Sequence, residues 1–166
     1  MNLNTFLMKT RFLFPNQFKT LGWIFFIPCL VLSILLSLFD IDTEKYLNVQ
    51  VAAIYLDEFF GNKQYFQIIK NNIVDELLVL GLIIGGILVG FSKLKVEDEM
   101  ISKIRYESMV WAIYLNYVLI ILFTIFTYGV SYLAILMYNT FTLLLFFIIR
   151  FHYMIYKLNK ANKDDE

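Results

Sequence analysis

The residues best suited to chemistry are the charged side chains within positions 97–108. Glu97, Asp98 and Glu99 are consecutive, and Arg105 follows in the same run. Paired carboxylates can act as general acid and base, but they need a nucleophile, a base or a metal-ligand set beside them. Because no such set accompanies this run, we interpret Glu97, Asp98, Glu99 and Arg105 as candidate contacts for a cytoplasmic protein partner.

The same run has the pattern of an amphipathic helix beside the membrane that continues into the following apolar segment. Its acids precede its basic residues, as the helix dipole favours, and Glu99 and Lys103 have the i,i+4 spacing of an ion pair. An apolar stripe between the charged faces is formed by Val96, Met100, Ile101 and Ile104. Two alternatives stay open, namely a solvated helix whose charges pair among themselves and a latch onto Lys157 and Lys160.

The chain has one cysteine, Cys29, and one histidine, His152. A single cysteine cannot form an intramolecular disulfide, and a single histidine excludes a His-cluster metal site. We therefore predict no catalytic residue, no cofactor and no metal site, and a protein that is not an enzyme. The formal net charge of zero removes any global electrostatic case for nucleic-acid binding.

Three uncharged polar residues, Asn116, Asn139 and Thr142, lie within long apolar segments. A polar group that faces lipid is costly, so we expect these side chains to form hydrogen bonds between helices. The alternative is a polar path through an oligomeric channel or transporter subunit. That class usually needs ionisable residues within the membrane, and the interiors of these apolar segments contain none.

The composition that surrounds these residues is that of an integral membrane protein. Hydrophobic residues make up 60% of the chain, charged residues 17%, and the mean hydropathy is +0.68. A helix needs roughly 20 apolar residues to cross a bilayer. We predict four transmembrane helices, at residues 21–39, 73–91, 109–130 and 132–149. The second is the shortest, because its uncharged core of 77–91 covers only about 22 Å.

The distribution of basic residues predicts the orientation of the four spans. Three Lys or Arg residues precede the first span, four lie in the loop 92–108, four follow the last span, and only three lie in the loop 40–72. Because cytoplasmic loops carry the excess of basic residues, we expect both termini and the loop 92–108 to be cytoplasmic. The loop 40–72 is then extracytoplasmic.

Four glycines of the second span form two stripes, Gly81 with Gly85 and Gly86 with Gly90. Small residues let helix backbones approach closely within a membrane. We expect the two stripes to pack this span against two neighbouring helices of the same chain. A homo-oligomer interface is the alternative.

The extracytoplasmic loop is too long for a simple connection. Residues 47–51 alternate between apolar and polar, residues 60–63 have turn character, and residues 64–69 can return as a second strand or as a short helix. We predict a small β-hairpin that lies on the membrane. Asn72 is a suitable N-cap for the second span, because the acidic residues that follow favour the positive end of a helix. A cation or ligand site outside the membrane, at Asn71, Asn72, Asp75 and Glu76, is the alternative.

Three stretches together resemble a known group of proteins. They are residues 68–76 (IIKNNIVDE), 97–112 (EDEMISKIRYESMVWA) and 150–157 (RFHYMIYK). The chain is similar to a family of small, uncharacterised four-helix membrane proteins of Bacteroidota-type bacteria, and the likeness covers nearly its whole length. The resemblance implies a location in the bacterial inner membrane, and it brings no known activity, cofactor or catalytic residue.

We therefore predict an all-α membrane protein with four transmembrane helices, a small extracytoplasmic β-hairpin, and one integral membrane domain over residues 1–166. Its expected function is that of a non-enzymatic membrane module whose cytoplasmic amphipathic helix contacts or regulates a partner. Its other expected partner is the lipid bilayer. The alternative function is that of a channel or transporter subunit.

Overall fold

The computed structural model describes residues 12–39, 41, 43, 46–56 and 64–164. Within them the chain is mostly helical, with one two-stranded sheet. The elements in chain order are α1 (Gln17–Leu38), β1 (Asn48–Leu56), β2 (Gln64–Asn72), α2 (Val74–Gly90), α3 (Glu99–Phe126) and α4 (Val130–Asp164). The prediction of a mostly helical protein is confirmed, and so is the small β-hairpin.

Three of the helices are long and apolar enough, by length and composition, to cross a membrane. They are α1, α3 and the Val130–Ala161 part of α4. The helix α2 has 17 residues and therefore covers about 25 Å, which is less than a typical hydrocarbon core of about 30 Å. The predicted second span, residues 73–91, thus contains a helix that is too short to count as a span by length alone.

The helices extend further than the apolar segments from which they were predicted. Helix α3 begins ten residues before position 109, at Glu99, and α4 continues past position 149 to Asp164. The polar connection before α3 is therefore short, and the amphipathic segment is continuous with the apolar part of α3, as the sequence predicted. Between α3 and α4 the chain turns at Gly129, whose φ of +75° favours glycine.

The described residues form two compact units, one within Met1–Phe26 and Leu82–Glu166 and the other within Ile27–Gly81. The division falls inside α1 and α2 and not in a linker. In the first unit α3 packs against α4. Its apolar core consists of Phe26, Leu82, Val89, Ile101, Ile104, Ala112, Phe147, Ile148 and Phe151.

The second unit contains the hairpin, in which β1 and β2 pair antiparallel. The register runs from Asn48 opposite Asn72 to Leu56 opposite Gln64. The predicted turn at 60–63 lies outside the described residues. After β2 the chain enters α2 almost at once, and the side-chain oxygen of Asn72 accepts a hydrogen bond from the Val74 N–H at 2.8 Å. This contact confirms the predicted N-cap.

The four glycines of α2 lie against two different helices of the same chain. A Cβ atom added at Gly85 would lie 2.7 Å from the backbone nitrogen of Phe26, on α1. Gly81 lies against the side chain of Cys29, also on α1. Gly86 and Gly90 instead lie against residues of α4, respectively the side chains of Leu144 and Phe147.

Candidate functional site

The start of α3 is fixed by Asp98. This residue has extended backbone angles (φ −117°, ψ 178°), and its Oδ1 atom accepts a hydrogen bond from the Ile101 N–H at 2.7 Å. A carboxylate at this position satisfies a free backbone N–H and interacts favourably with the positive end of the helix dipole. The Asp98 side chain therefore stabilises the helix end.

Glu97 and Arg105 form a largely buried ion pair. The two terminal guanidinium nitrogens of Arg105 donate to the two carboxylate oxygens of Glu97 at 2.5 and 3.3 Å. The Arg105 side chain is only 7% exposed, and the Glu97 side chain is 16% exposed. The guanidinium also lies 4.9 Å from the ring centroid of Phe151, on α4, in a cation–π arrangement. The pair thus fastens the start of α3 to the segment before it and to α4.

Further hydrogen bonds hold the connection between α2 and α3 in place. The other carboxylate contact of Glu97 is with the Leu94 N–H, at 3.0 Å, and an Arg105 nitrogen lies 3.4 Å from the carbonyl oxygen of Ser92. The N-terminal segment pairs alongside, since Phe14 forms a parallel bridge with Ser92. In addition, the Asn16 side-chain amide donates to the Lys93 carbonyl at 2.7 Å. The connection is therefore held by Glu97 and Arg105 on one side and by the N-terminal segment on the other.

Two further basic side chains, Lys19 and His152, interact electrostatically with this ion pair. Lys19 lies within electrostatic range of Arg105 and Glu97, and His152 lies within range of Lys19 and Arg105. The His152 ring packs edge-to-face on Trp23, with 5.3 Å between the ring centroids, and its Nδ1 atom donates to the carbonyl oxygen of Ile148 at 2.9 Å. Glu97 is the acidic partner of Lys19 among these interactions.

The first turns of α3 have a buried side and an exposed side. Ile101, Ile104, Arg105 and Ser108 are buried. Met100 and Tyr106 are 55% and 69% exposed, and Val96, just before the helix, is 71% exposed. Only half of the predicted apolar stripe therefore faces the protein interior, because Arg105 and Ser108 occupy positions on the buried side.

The charged residues on the exposed side of α3 pair differently from the prediction. Lys103 lies 4.0 Å from the carboxylate of Glu107. No ion pair joins it to Glu99 within the part of the chain that the structure describes, so the predicted i,i+4 pair is wrong. Of the four candidate contact residues, Glu97 and Arg105 bind each other, Asp98 caps the helix, and Glu99 is exposed.

The polar residues deep in the helices bond to protein groups. The side-chain amides of Asn116 and Asn139 form two reciprocal hydrogen bonds, at 2.9 and 3.3 Å, between α3 and α4. Asn116 is 4% exposed. The Thr142 hydroxyl donates to the carbonyl of Tyr138 on its own helix, at 2.9 Å. The two amides thus satisfy each other.

Sequence reasoning missed several residues that build this region. Gly22 on α1 lies so close to α2 that an added Cβ would be 2.8 Å from the Val89 nitrogen. Ser92 and Ser108 are completely buried, and Phe151 supports Arg105. The sequence did contain one signal for the buried side of α3. Small or polar residues recur there at the spacing of one helix face, at Arg105, Ser108, Ala112 and Asn116.

No group of three or more His, Cys, Asp or Glu side chains among the described residues could hold a metal ion. The comparisons with known proteins add no assignment. No family model matches the chain, and neither a curated protein nor a solved structure is significantly similar to it. The resemblance inferred from residues 68–76, 97–112 and 150–157 therefore stays a prediction.

Proposed function

We propose that the chain is a non-enzymatic, four-span module of the bacterial inner membrane that contacts a cytoplasmic protein through the start of α3. The contact surface, named here the α3 face, consists of Val96, Glu99, Met100, Lys103 and Tyr106. In this proposal α2 is the fourth span, and both termini lie in the cytoplasm, where the positive-inside rule locates the basic loops.

The observation that supports the proposal is the contrast between the two sides of the start of α3. Its buried side is fastened by the ion pair of Glu97 and Arg105 and by the Asp98 cap. Its other side exposes apolar atoms of Met100 and Tyr106 next to charged groups. A rigid helix face that combines apolar anchors with a polar surround is typical of protein interfaces.

These contacts reduce the set of predicted residues that are free to meet a partner. Glu97 and Arg105 already bind each other, so substitutions there would disturb the fold as well as any interface. Glu99 and Lys103 are exposed charges on the α3 face. The recognition of a partner is therefore expected to depend on these two charges and on the apolar residues beside them.

The test is site-specific photo-crosslinking in native membranes. A benzophenone side chain is introduced at Met100 or Tyr106, with Lys157, an exposed residue of α4, as the matched control position. We expect a discrete crosslinked protein from the first two positions only, and its loss when Glu99→Lys and Lys103→Glu are combined. Identical patterns at all three positions, or a product that survives the double charge reversal, would exclude the proposal.

The alternative, a channel or transporter subunit, receives less support. A polar path needs amide or hydroxyl groups that are free to meet a substrate. Asn116 and Asn139 instead satisfy each other, and the Thr142 hydroxyl bonds to its own helix. These contacts favour a structural role for the three residues, within helices whose association depends on interhelical hydrogen bonds.

A further inference from the structure

The hairpin exposes far more apolar surface than a ribbon in water normally does. Ile54, Phe66 and Ile68 are 69%, 83% and 75% exposed. Lys70 is the only charged residue in the sequences of the two strands. Antiparallel ribbons that face water usually turn polar side chains outward, and an isolated two-stranded hairpin is marginally stable without a surface to pack on. The ribbon therefore needs an apolar partner.

The backbone of β2 is distorted where its most exposed aromatic residue lies. Phe66 has a φ of +54°, a conformation that bulky residues rarely adopt. The regular pairing is interrupted at the same place, since Ala53 pairs with Gln67 and Tyr55 with Tyr65 but no pair joins the residues between them. The register is the same on both sides of this gap, so no residue is inserted, and the Phe66 side chain is 83% exposed.

Aromatic residues near the far end of the ribbon add an amphipathic element. The rings of Tyr55 and Tyr65 pair across the strands, with 5.4 Å between their centroids. Their side chains are 50% and 64% exposed. Tyrosine is enriched at the boundary between lipid and water, where its ring contacts apolar groups and its hydroxyl meets water.

The attachment of the ribbon to α2 is short and braced. Only Ile73 separates the end of β2 at Asn72 from the start of α2. The Asn72 cap on Val74 is joined by a second contact, in which the Asn71 side-chain amide donates to the Glu76 carboxylate at 3.0 Å. A nine-residue strand is about 30 Å long. The ribbon is thus held directly at the start of α2, and it is long enough to cover a patch of membrane.

Apolar side chains are also exposed at the end of α1 and just before β1. Leu38 and Phe39 are 73% and 69% exposed, and Tyr46 and Leu47 are 60% and 58% exposed. Helix α1 is one of the three helices that are apolar enough to cross a membrane. Exposed apolar side chains therefore flank the connection on both sides, at the end of α1 and at the start of the ribbon.

We propose that the β-ribbon lies on the bilayer and inserts Ile54, Phe66 and Ile68 into the lipid interface. The bilayer is the occupant that the structure favours, because the ribbon is connected at both ends to apolar helices, α1 and α2, and α1 is long and apolar enough to cross a membrane. This inference does not depend on the proposed function, which concerns the α3 face.

The test uses the fact that the chain has one native cysteine. In a Cys29→Ala background, Phe66→Cys, Ile68→Cys and Gln67→Cys variants of the full chain are labelled with an environment-sensitive fluorophore and reconstituted into phosphatidylcholine vesicles. Gln67 is the matched control for Ile68, because both residues pair regularly with β1 and neighbouring residues of a strand point to opposite sides. Leu122→Cys, on the apolar part of α3, is the positive control for quenching by nitroxide-labelled lipid.

We expect the labels at 66 and 68 to emit at shorter wavelength and to lose most of their emission to nitroxide-labelled lipid. The label at 67 should instead be quenched by aqueous iodide. The proposal is overturned if all three ribbon labels respond to iodide alike, or if the blue shift appears only as the protein-to-lipid ratio rises, which would indicate a second copy. Ile68→Cys keeps the test valid should the distorted position 66 reject cysteine.

Discussion

The guanidinium of Arg105 binds both carboxylate oxygens of Glu97 while its side chain is only 7% exposed. Two charges removed from water cost several kcal/mol each, and their attraction compensates only when the geometry is good and the remaining polar atoms have partners. Glu97 and Arg105 have further partners in the Leu94 N–H and the Ser92 carbonyl, while the Nε atom of Arg105 is buried without a hydrogen bond. The pair therefore determines how the connection after α2 joins α3.

The ion pair should be sensitive to the loss of either partner. Glu97→Gln leaves the buried Arg105 charge uncompensated, so we expect the free energy of unfolding to fall by about 3–5 kcal/mol. Equilibrium unfolding in mixed detergent micelles measures this. Adding Arg105→Met should restore much of the loss, because it removes the unpaired charge and keeps an apolar contact with Phe151.

The exposed pair of Lys103 and Glu107 is the matched control for that measurement. Its side chains are 76% and 46% exposed and 4.0 Å apart. Glu107→Gln should change the free energy of unfolding by no more than about 1 kcal/mol. Equal losses for Glu97→Gln and Glu107→Gln would contradict the structural role assigned to the buried pair.

The two glycines of α2 that face α1 should respond differently to alanine. At Gly85 an added Cβ meets the Phe26 backbone nitrogen at 2.7 Å, so the helices must separate, at a cost of about 1–3 kcal/mol. At Gly81 the added Cβ meets the Cys29 sulfur, and the Cys29 Cβ is 3.4 Å away. Gly81→Ala should therefore be tolerated once Cys29→Ala removes the sulfur.

Five variants test this difference in the same unfolding assay, namely Cys29→Ala alone, and Gly81→Ala and Gly85→Ala each with and without it. Relative to Cys29→Ala alone, the pair Cys29→Ala with Gly81→Ala should be nearly unchanged. The pair Cys29→Ala with Gly85→Ala should stay destabilised, because the clash there is with backbone. Rescue of both glycine variants by Cys29→Ala would show that the close backbone approach at Gly85 is wrong.

The amide pair between α3 and α4 should be energetically coupled. Asn116→Ala leaves the Asn139 amide without its partner, and Asn139→Ala does the reverse. A double-mutant cycle should therefore give a coupling free energy of about 0.6–2 kcal/mol. Thr142→Val is the control, since its hydroxyl bonds within its own helix. Additive effects of the two alanine substitutions would mean that the amides do not bind each other.

Local features of the fold were predictable from the sequence because their causes are local. Alternation in residues 47–51 predicted a strand, and Asn72 next to acidic residues predicted a helix start, since an N-cap acts on the next few backbone N–H groups. The hairpin register could not be predicted, because it is set by how the two strands pair and not by the local pattern of either strand. Helix ends were also misplaced, because the apolar segments end before the helices do.

The candidate site was less predictable because its contacts are distant in the chain. A charged run beside a membrane usually faces water, and nothing local indicates that Arg105 turns inward onto Phe151 of α4. The pairing of Phe14 with Ser92 likewise joins segments far apart in sequence. Once Arg105 is buried, Met100 and Val96 are left exposed, which reverses half of the predicted apolar stripe.

Because α2 has only 17 residues, its crossing of the membrane is the prediction about topology that most needs an experimental test. In the sequence Lys70 precedes α2 and Lys95 follows it, and both side chains are exposed. In the Cys29→Ala background, cysteine at 70 should react with a membrane-impermeant maleimide from the outside of intact cells, and cysteine at 95 only in inverted membrane vesicles. This pattern is expected because a 17-residue helix can span where the bilayer thins or where flanking side chains reach the interface. Labelling of both positions from the same side would mean that α2 does not cross, and that the four-span topology is wrong.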